Sequence, residues 1–125
     1  FSVFVLLLSN EVPSKKNRYL VTKTGHFYQD SAVSDFMFDA HWQIQGELNS
    51  PKNLENKKKL PLKVPVKLKI EFHTDRRSDL DNMLGTIFDL LQKSEIVQND
   101  RLIYKVDASK FYSKNHVTKV WITHS

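Results

Sequence analysis

The chain has 125 residues, a net charge of +5 and no cysteine. This length fits one domain with one modest core, and an apolar content of 40% with a charged content of 26% is typical of a folded soluble protein. The lack of thiols excludes disulfides, zinc–thiolate sites and cysteine nucleophiles, and it suits a reducing cytoplasm. The positive charge favours a polyanionic partner, with nucleic acid ahead of an anionic membrane surface; a basic protein without such a partner is the alternative.

The first part of the chain predicts a strand, a polar break and a short hairpin. Ser2 to Leu8 is apolar and β-rich, which predicts a strand that is buried on both faces near its end. This run is far shorter than the ~20 apolar residues that span a bilayer. Ser9 to Tyr19 breaks the apolar pattern, and Tyr19 to Tyr28 predicts a hairpin that turns at residues 23–26.

A helix is predicted next, because apolar side chains recur at helical spacing. Asp30 or Ser31 can cap its start, and Gly46 is its predicted stop. The apolar positions are Val33, Phe36, Met37, Ala40 and Ile44. We interpret the aromatic residues of this helix as core or subunit interface. Leu48 to Leu62 then predicts a loop, whose lysine run at 57–59 is either solvated or lies along a nucleic-acid backbone.

The second half of the chain predicts a strand, a helix and two further strands. Val64 to His73 alternates apolar and polar residues, as a strand with one buried face does, and a helix follows over Leu80 to Gln92. Leu102 to Tyr112 and His116 to Thr123 are predicted strands that form a hairpin. The order β-α-β-α-β-β predicts an α+β fold: one domain over residues 1–125, with a mixed sheet and helices packed on it.

Two acids and an amide, Asp79, Asp81 and Asn82, lie at the predicted corner between strand and helix, and Asp100 lies beyond the far end of that helix. If the backbone at the corner is extended, both carboxylates point to one face; if it is helical, they diverge. Carboxylates suit Mg²⁺ or Mn²⁺, and the connector after the helix can bring Asp100 back toward the sheet. The alternative is structural: Ser78 or Asp79 caps the helix, Asp81 suits its first turn, and Asp100 is an acid in a polar loop.

A basic segment lies earlier in the chain, in the predicted break between the first two strands. Lys15, Lys16 and Arg18 give it three positive charges, and Tyr19 follows them. Such a segment is typical of a loop that contacts phosphates. A solvated basic turn is the alternative interpretation.

Three motifs resemble the RusA family of Holliday-junction resolvases. They are Asp79-Leu80-Asp81-Asn82, the helix through Asp89-Leu90-Leu91-Gln92-Lys93 with Asn99-Asp100 beyond it, and the early segment Pro13-Ser14-Lys15-Lys16-Asn17-Arg18-Tyr19. The family pattern is Asp-x-Asp-Asn, a helix with an Asp near its middle, and then an Asp pair on the following loop. The similarity extends from the first strand to the last, although the motifs themselves cover a minority of the chain.

This resemblance implies a small homodimeric endonuclease that uses Mg²⁺, with Mn²⁺ as the alternative ion, and cuts branched DNA such as four-way junctions. By motif match, Asp79, Asp81 and Asp100 are its catalytic and metal-binding residues, and Asn82 supports them through hydrogen bonds. The residues expected to bind DNA phosphates are Lys15, Lys16, Arg18, Arg76 and Arg77. A cytoplasmic location without a membrane partner is expected, and such proteins are often encoded by phages or prophages.

Two positions depart from the family pattern. Gly85 stands where the family usually has a lysine, three residues after the Asn of the motif, and Asn99 stands where the family often has the first Asp of the loop pair. The lost lysine removes a positive charge that can stabilise the transition state. A branched-DNA-binding protein with impaired catalysis is therefore the alternative function, and a structural protein whose acids only cap helices is a third.

Overall fold

A computed structural model describes residues 2–9, 11–13, 19–21, 27–29 and 31–124 of the chain. Its strands are β1 (Ser2–Leu8), β2 (Tyr19–Val21), β3 (Phe27–Gln29), β4 (Val66–His73), β5 (Ile103–Phe111) and β6 (Val117–His124). Its α-helices are α1 (Ser31–Leu48), α2 (Leu54–Lys57) and α3 (Leu80–Lys93), and short 3-10 helices span Pro51–Asn53 and Asp100–Leu102. The long elements follow the predicted order.

The main sheet has the strand order β1-β6-β4-β5. β4 and β5 are parallel, with α3 in the crossover between them, and β6 is antiparallel to both β1 and β4. The predicted hairpin of the last two strands is therefore wrong, because β4 lies between them. Burial explains the difference: Val120 of β6 lies opposite Leu6 of β1 and Ile70 of β4, and all three side chains are fully buried.

The hydrophobic core lies on one face of this sheet, with α1 and α3 against it. β4 alternates as predicted and buries Val66, Leu68, Ile70 and Phe72. α3 buries Met83, Ile87, Leu90 and Leu91, which share one face of the helix. Because this face fixes α3 along the sheet, the start of α3 lies just beyond the end of β4, where the predicted acidic corner is.

Several local predictions are wrong. Gly46 does not stop α1, which continues to the buried Leu48. The predicted loop over 48–62 contains a 3-10 helix and α2, and the buried Asn53 side chain donates to the carbonyl of Glu47 at 2.8 Å. Leu7 of the edge strand β1 is 49% exposed, so this strand is not buried on both faces. The fourth strand begins at Val66, which leaves Val64 exposed.

Two of the aromatic residues of α1 are also exposed rather than part of the core. Phe38 and Trp42 lie edge-to-face with ring centroids 6.3 Å apart, and both are largely in solvent. The buried aromatic residue of this helix is Phe36. An interface role for the exposed pair stays a prediction.

The fold class and the early hairpin are confirmed. The mixed sheet with helices on it is an α+β arrangement, and β2 pairs antiparallel with β3 as the predicted hairpin requires. The predicted turn at 23–26 lies outside the described residues. Within the described part of the chain, every helix is too short or too polar to cross a membrane.

Candidate active site

Asp79 occupies the N-cap position of α3 without acting as a side-chain cap. Its backbone is extended, with φ −65° and ψ 145°, and its carboxylate accepts no hydrogen bond from the first turn. Its carbonyl begins the helical ladder by accepting from the Met83 amide at 3.2 Å. Ser78, the other predicted cap, accepts a 2.7 Å bond from Arg76 Nε instead. The exposed Asp79 carboxylate is therefore left for another use.

Asp81 lies in the first turn of α3, where it is exposed. Its Oδ1 accepts from the amide of Asn82 at 3.0 Å. Since Leu80 is already helical, Asp79 and Asp81 do not both lie on an extended segment, and their side chains start in different directions. They still share the N-terminal end of one helix, where the helix dipole favours negative groups and anions.

Asp100 lies at the other end of α3. Its backbone amide donates to Gln92 Oε1 at 3.0 Å, and the Asn99 side chain caps the 3-10 helix by accepting from Arg101 N at 3.0 Å. From Asp81 to Gln92 the helix rises about 17 Å at 1.5 Å per residue. Within one chain, Asp79 and Asp81 thus lie two residues apart at one end of α3, and Asp100 lies at the other end. Among the described residues, no three His, Asp or Glu side chains are grouped to hold a metal ion.

Arg76 is fixed in the loop between β4 and α3. Its Nη1 donates to Glu11 Oε1 at 2.7 Å, its Nε donates to Ser78, and its amide donates to Thr74 Oγ1 at 3.1 Å. Its side chain is only 22% exposed. Arg77, which follows it, is exposed. The two arginines, predicted as a pair of phosphate ligands, therefore differ: Arg76 shapes the loop before Asp79, and Arg77 faces solvent.

A histidine from the far end of the sequence completes this loop. His116 Nδ1 lies 2.8 Å from Thr74 Oγ1, and its Nε2 lies 3.8 Å from Glu11 and 3.7 Å from Asp75. The loop is thereby held from the segment after β1 and from the segment before β6. Sequence reasoning missed Glu11 and His116, because both contacts join residues that are distant along the chain.

The stem of the predicted basic segment is anchored beside the same helix. Val12 is buried, and the carbonyl of Pro13 accepts a buried 2.7 Å bond from Thr86 Oγ1. Thr86 is one turn after Asn82 on α3, since its hydroxyl also lies 3.5 Å from the Asn82 carbonyl. Residues Lys15, Lys16 and Arg18 themselves lie outside the described part of the chain. Their segment begins next to the N-terminal half of α3.

An open cleft of about 320 Å³ lies directly before Asp79. Its lining comprises Thr74, Asp75, Arg76, Arg77, Lys110 and Tyr112. Lys110, at the end of β5, donates from Nζ to the carbonyl of Ser78 at 2.9 Å. A larger groove of about 490 Å³ between β1 and α1 has a mostly apolar lining without a lysine or arginine, so it suits an anionic ligand less well. The cationic cleft, which sequence reasoning did not predict, is lined by the loop that leads to Asp79.

Comparison with known proteins agrees with these motifs. The family model described as Endodeoxyribonuclease RusA matches residues 11–123. A crossover junction endodeoxyribonuclease RusA from Aquifex aeolicus (strain VF5) is similar to the chain, with 26% identity over 109 residues, which cover 87% of this chain and 81% of that protein. The residues that the family model matches include the stem of the basic segment, the acidic corner and the Asp100 turn. The chain therefore belongs to the RusA family of endodeoxyribonucleases.

Proposed function

We propose that this protein is a metal-dependent endonuclease that hydrolyses phosphodiester bonds in branched DNA such as four-way junctions. One observation carries the proposal: the helix does not use the exposed carboxylate of Asp79, which follows directly on the loop that lines a cationic cleft. A cap would need that carboxylate turned onto the helix amides. Because DNA is the substrate and the chain has no cysteine, the cytoplasm is the expected compartment.

The pair of acids suits Mg²⁺, or Mn²⁺ in its place. Mg²⁺ in phosphoryl-transfer sites is typically held by one or two carboxylates, several waters and substrate phosphate oxygens. Asp79 and the second carboxylate oxygen of Asp81 would be its ligands at the start of α3. Bound there, the ion supplies positive charge that polarises the phosphate and makes an attacking water more acidic. Asn82, half-buried beside them, would support this shell with its side-chain amide.

The cations of the cleft would orient the DNA for this reaction. Arg77 and Lys110 would bind phosphates next to the scissile one, while Arg76 holds the loop in place through Glu11 and Ser78. Lys15, Lys16 and Arg18 would add further phosphate contacts. In the reaction, water attacks the phosphorus and one bridging P–O bond breaks, which leaves a phosphate monoester and a free hydroxyl.

The place of Asp100 favours a homodimer in which two chains share each site. Asp100 lies about one helix length from Asp81 within its own chain, too far for both to bind one ion. A second copy related by a two-fold axis would supply its Asp100 to the Asp79–Asp81 pair of the first copy. The first copy would supply its own Asp100 to the pair of the second copy in the same way. Such a dimer has two equivalent sites, and this symmetry matches paired cuts in a four-way junction.

Cleavage of a synthetic four-way junction by the wild type, Asp79→Asn and Asp81→Asn, with Mg²⁺ and with EDTA, tests the proposal. We expect either variant to cut at least about 100-fold more slowly, as removal of one key electrostatic group usually does, while junction binding is retained. Asp107→Asn is the matched control, since it makes the same change on β5, where Asp107 lies beside Lys69 and is exposed. Wild-type protein that cuts no branched DNA with either Mg²⁺ or Mn²⁺ would contradict the proposal.

Gly85 favours a second candidate function, a branched-DNA-binding protein with impaired catalysis. The residue lies half-buried in α3, one turn after Asp81, and it provides no ammonium group where the family usually has one. Under this alternative, the wild type binds four-way junctions without cutting them, and Asp79→Asn changes nothing. The cleavage assay above therefore separates the two functions directly.

A further inference from the structure

The cleft before Asp79 contains an aromatic ring that phosphate binding does not require. Tyr112, directly after β5, is 79% exposed and lines the cleft together with Arg77 and Lys110. A ring so far in water adds little to the fold, since hydrophobic stabilisation scales with the apolar area removed from solvent. Exposed aromatic rings beside cations are, however, the combination with which proteins bind single-stranded nucleic acid: bases stack on the ring and the cations hold the backbone.

We infer that Tyr112, Arg77 and Lys110 form a subsite for one unpaired nucleotide at the branch point of the DNA. Its base stacks on the Tyr112 ring, and its phosphate contacts the two cations. The subsite rests on the proposed function and deepens it, because it lies directly before Asp79 and makes the branch itself a determinant of selectivity.

The size of the cleft fits one nucleotide rather than a duplex. Its volume of about 320 Å³ is at the lower end of the range of about 300–1,000 Å³ for ligand sites. A base inside a duplex is paired and already stacked on both faces, so only a base that has left the stack can use the ring. Tyr112 therefore favours branched over linear DNA, whereas Arg77 attracts the backbone of either.

Hydrogen bonds hold the backbone on both sides of Tyr112 in a defined position. The carbonyl of Phe111 accepts from the Thr74 amide at 2.9 Å, and the amide of Ser113 donates to the Thr74 carbonyl at 3.2 Å. Both neighbours of Tyr112 are thus bonded to one residue at the end of β4. Lys110 uses one of its three N–H groups on Ser78, and the acid in the lining, Asp75, lies 3.7 Å from His116. The cations are therefore left to bind a phosphate.

Dissociation constants for a four-way junction and for a linear duplex of equal length, measured in EDTA, test the inference. Tyr112→Ala and Tyr112→Leu should raise the junction constant about 5- to 100-fold, the range for loss of one base–aromatic stack, and change the duplex constant less than about twofold. Tyr112→Phe, which keeps the ring, should bind as the wild type does. The matched control is Tyr104→Ala: Tyr104 is 73% exposed near the opposite end of β5, about 26 Å away at 3.3 Å per residue.

The outcomes separate this inference from the proposed function. If the wild type binds and cuts junctions but Tyr112→Ala binds them equally well, the subsite is wrong and the endonuclease proposal stands. If Tyr112→Ala weakens junction and duplex binding alike, the ring does not select an unpaired base, and the inference fails. If the wild type does not bind junctions at all, the proposed function fails and the subsite with it. Unchanged thermal midpoints of the variants would show that each change acts on binding rather than on folding.

Discussion

The two ends of α3 carry the acids of the family motifs in very different surroundings. At the N-terminal end, Asp79 and Asp81 follow a loop that lines an open cleft with Arg77 and Lys110. At the C-terminal end, Asp100 is fixed by Gln92 but lies in a turn whose described contacts are mostly local. The first end has two acids and nearby cations, whereas the second has the third acid of the family motifs. The proposed homodimer would join the two ends, because a second chain would supply the third acid.

Mixed dimers would show whether the two ends meet in one site. Two differently tagged copies, one with Asp81→Asn and the other with Asp100→Asn, are co-expressed, and the heterodimer is purified through both tags. If each site combines both chains, one site of this heterodimer carries both changes and the other is intact. We expect strand nicking of a four-way junction at about half the wild-type rate, at least about 50-fold above either homodimeric variant.

The same assay can also show that the sites are not shared between chains. If Asp100 acts within its own chain, every site of the mixed dimer carries one change, and the heterodimer is as inactive as the homodimers. A heterodimer of wild type with Asp81→Asn is the control, because it keeps one intact site under either arrangement. Its rate should equal that of the mixed dimer only if the sites are shared.

The two adjacent arginines are expected to act differently at the N-terminal end of α3. Arg77→Gln should weaken DNA binding and reduce the slope of log affinity against log salt by about 1, with stability unchanged, because an exposed phosphate contact is lost. Arg76→Gln should lower cleavage about 10-fold and destabilise the fold by about 1 kcal/mol, because it removes the bonds to Glu11 and Ser78 that place Asp79.

Salt-dependent binding, cleavage rates and urea denaturation of the two variants provide the measurements. Each arginine serves as the control for the other, since the same substitution is made at neighbouring positions. Equal reductions of the salt slope would show that Arg76 also contacts phosphates, as the sequence first predicted for the pair. An Arg77→Gln variant that is unstable would show that its side chain has a structural role.

Local patterns in the sequence predicted the elements that carry the acids. The alternation in β4 and the apolar face of α3 each arise within one element, so they could be read from one segment of the chain. The position of the acidic corner could therefore also be predicted, because this corner joins β4 to α3. The α+β class could be predicted for the same reason.

Long-range contacts explain what was missed. The sequence of the turn at 113–115 fits both a β5–β6 hairpin and a connection between strands on either side of β4. The observed arrangement depends on β6 burying Val120 between β1 and β4. The bond between Arg76 and Glu11 joins residues 65 positions apart. The place of Asp100 depends on the path of the chain after α3. The spacing of the acids in the sequence did not show that Asp100 stays at the end of α3 that is far from Asp79.

Glu95 lies where the chain leaves α3, and its substitution has the smallest of the predicted effects. It follows α3 with a left-handed backbone, φ 59°, and the amides of Glu95 and Ile96 close the helix on Gln92 and Leu91 at 3.1 and 2.9 Å. A side chain in this region costs about 1–2 kcal/mol, which glycine avoids, although glycine also gains freedom in the unfolded state. Glu95→Gly should therefore raise the free energy of unfolding by about 0.5–1 kcal/mol in urea denaturation.

Glu95→Ala separates the backbone effect from the lost charge. It removes the carboxylate but keeps a Cβ, so the strain at positive φ remains and stability should not rise. Neither substitution should change junction cleavage, because Gln92 and Asn99 still hold the turn that carries Asp100. A stabilised Glu95→Gly variant that cuts more slowly would show that the backbone at the end of α3 positions Asp100 for catalysis. The C-terminal end of α3 would then contribute to the reaction as the N-terminal end does.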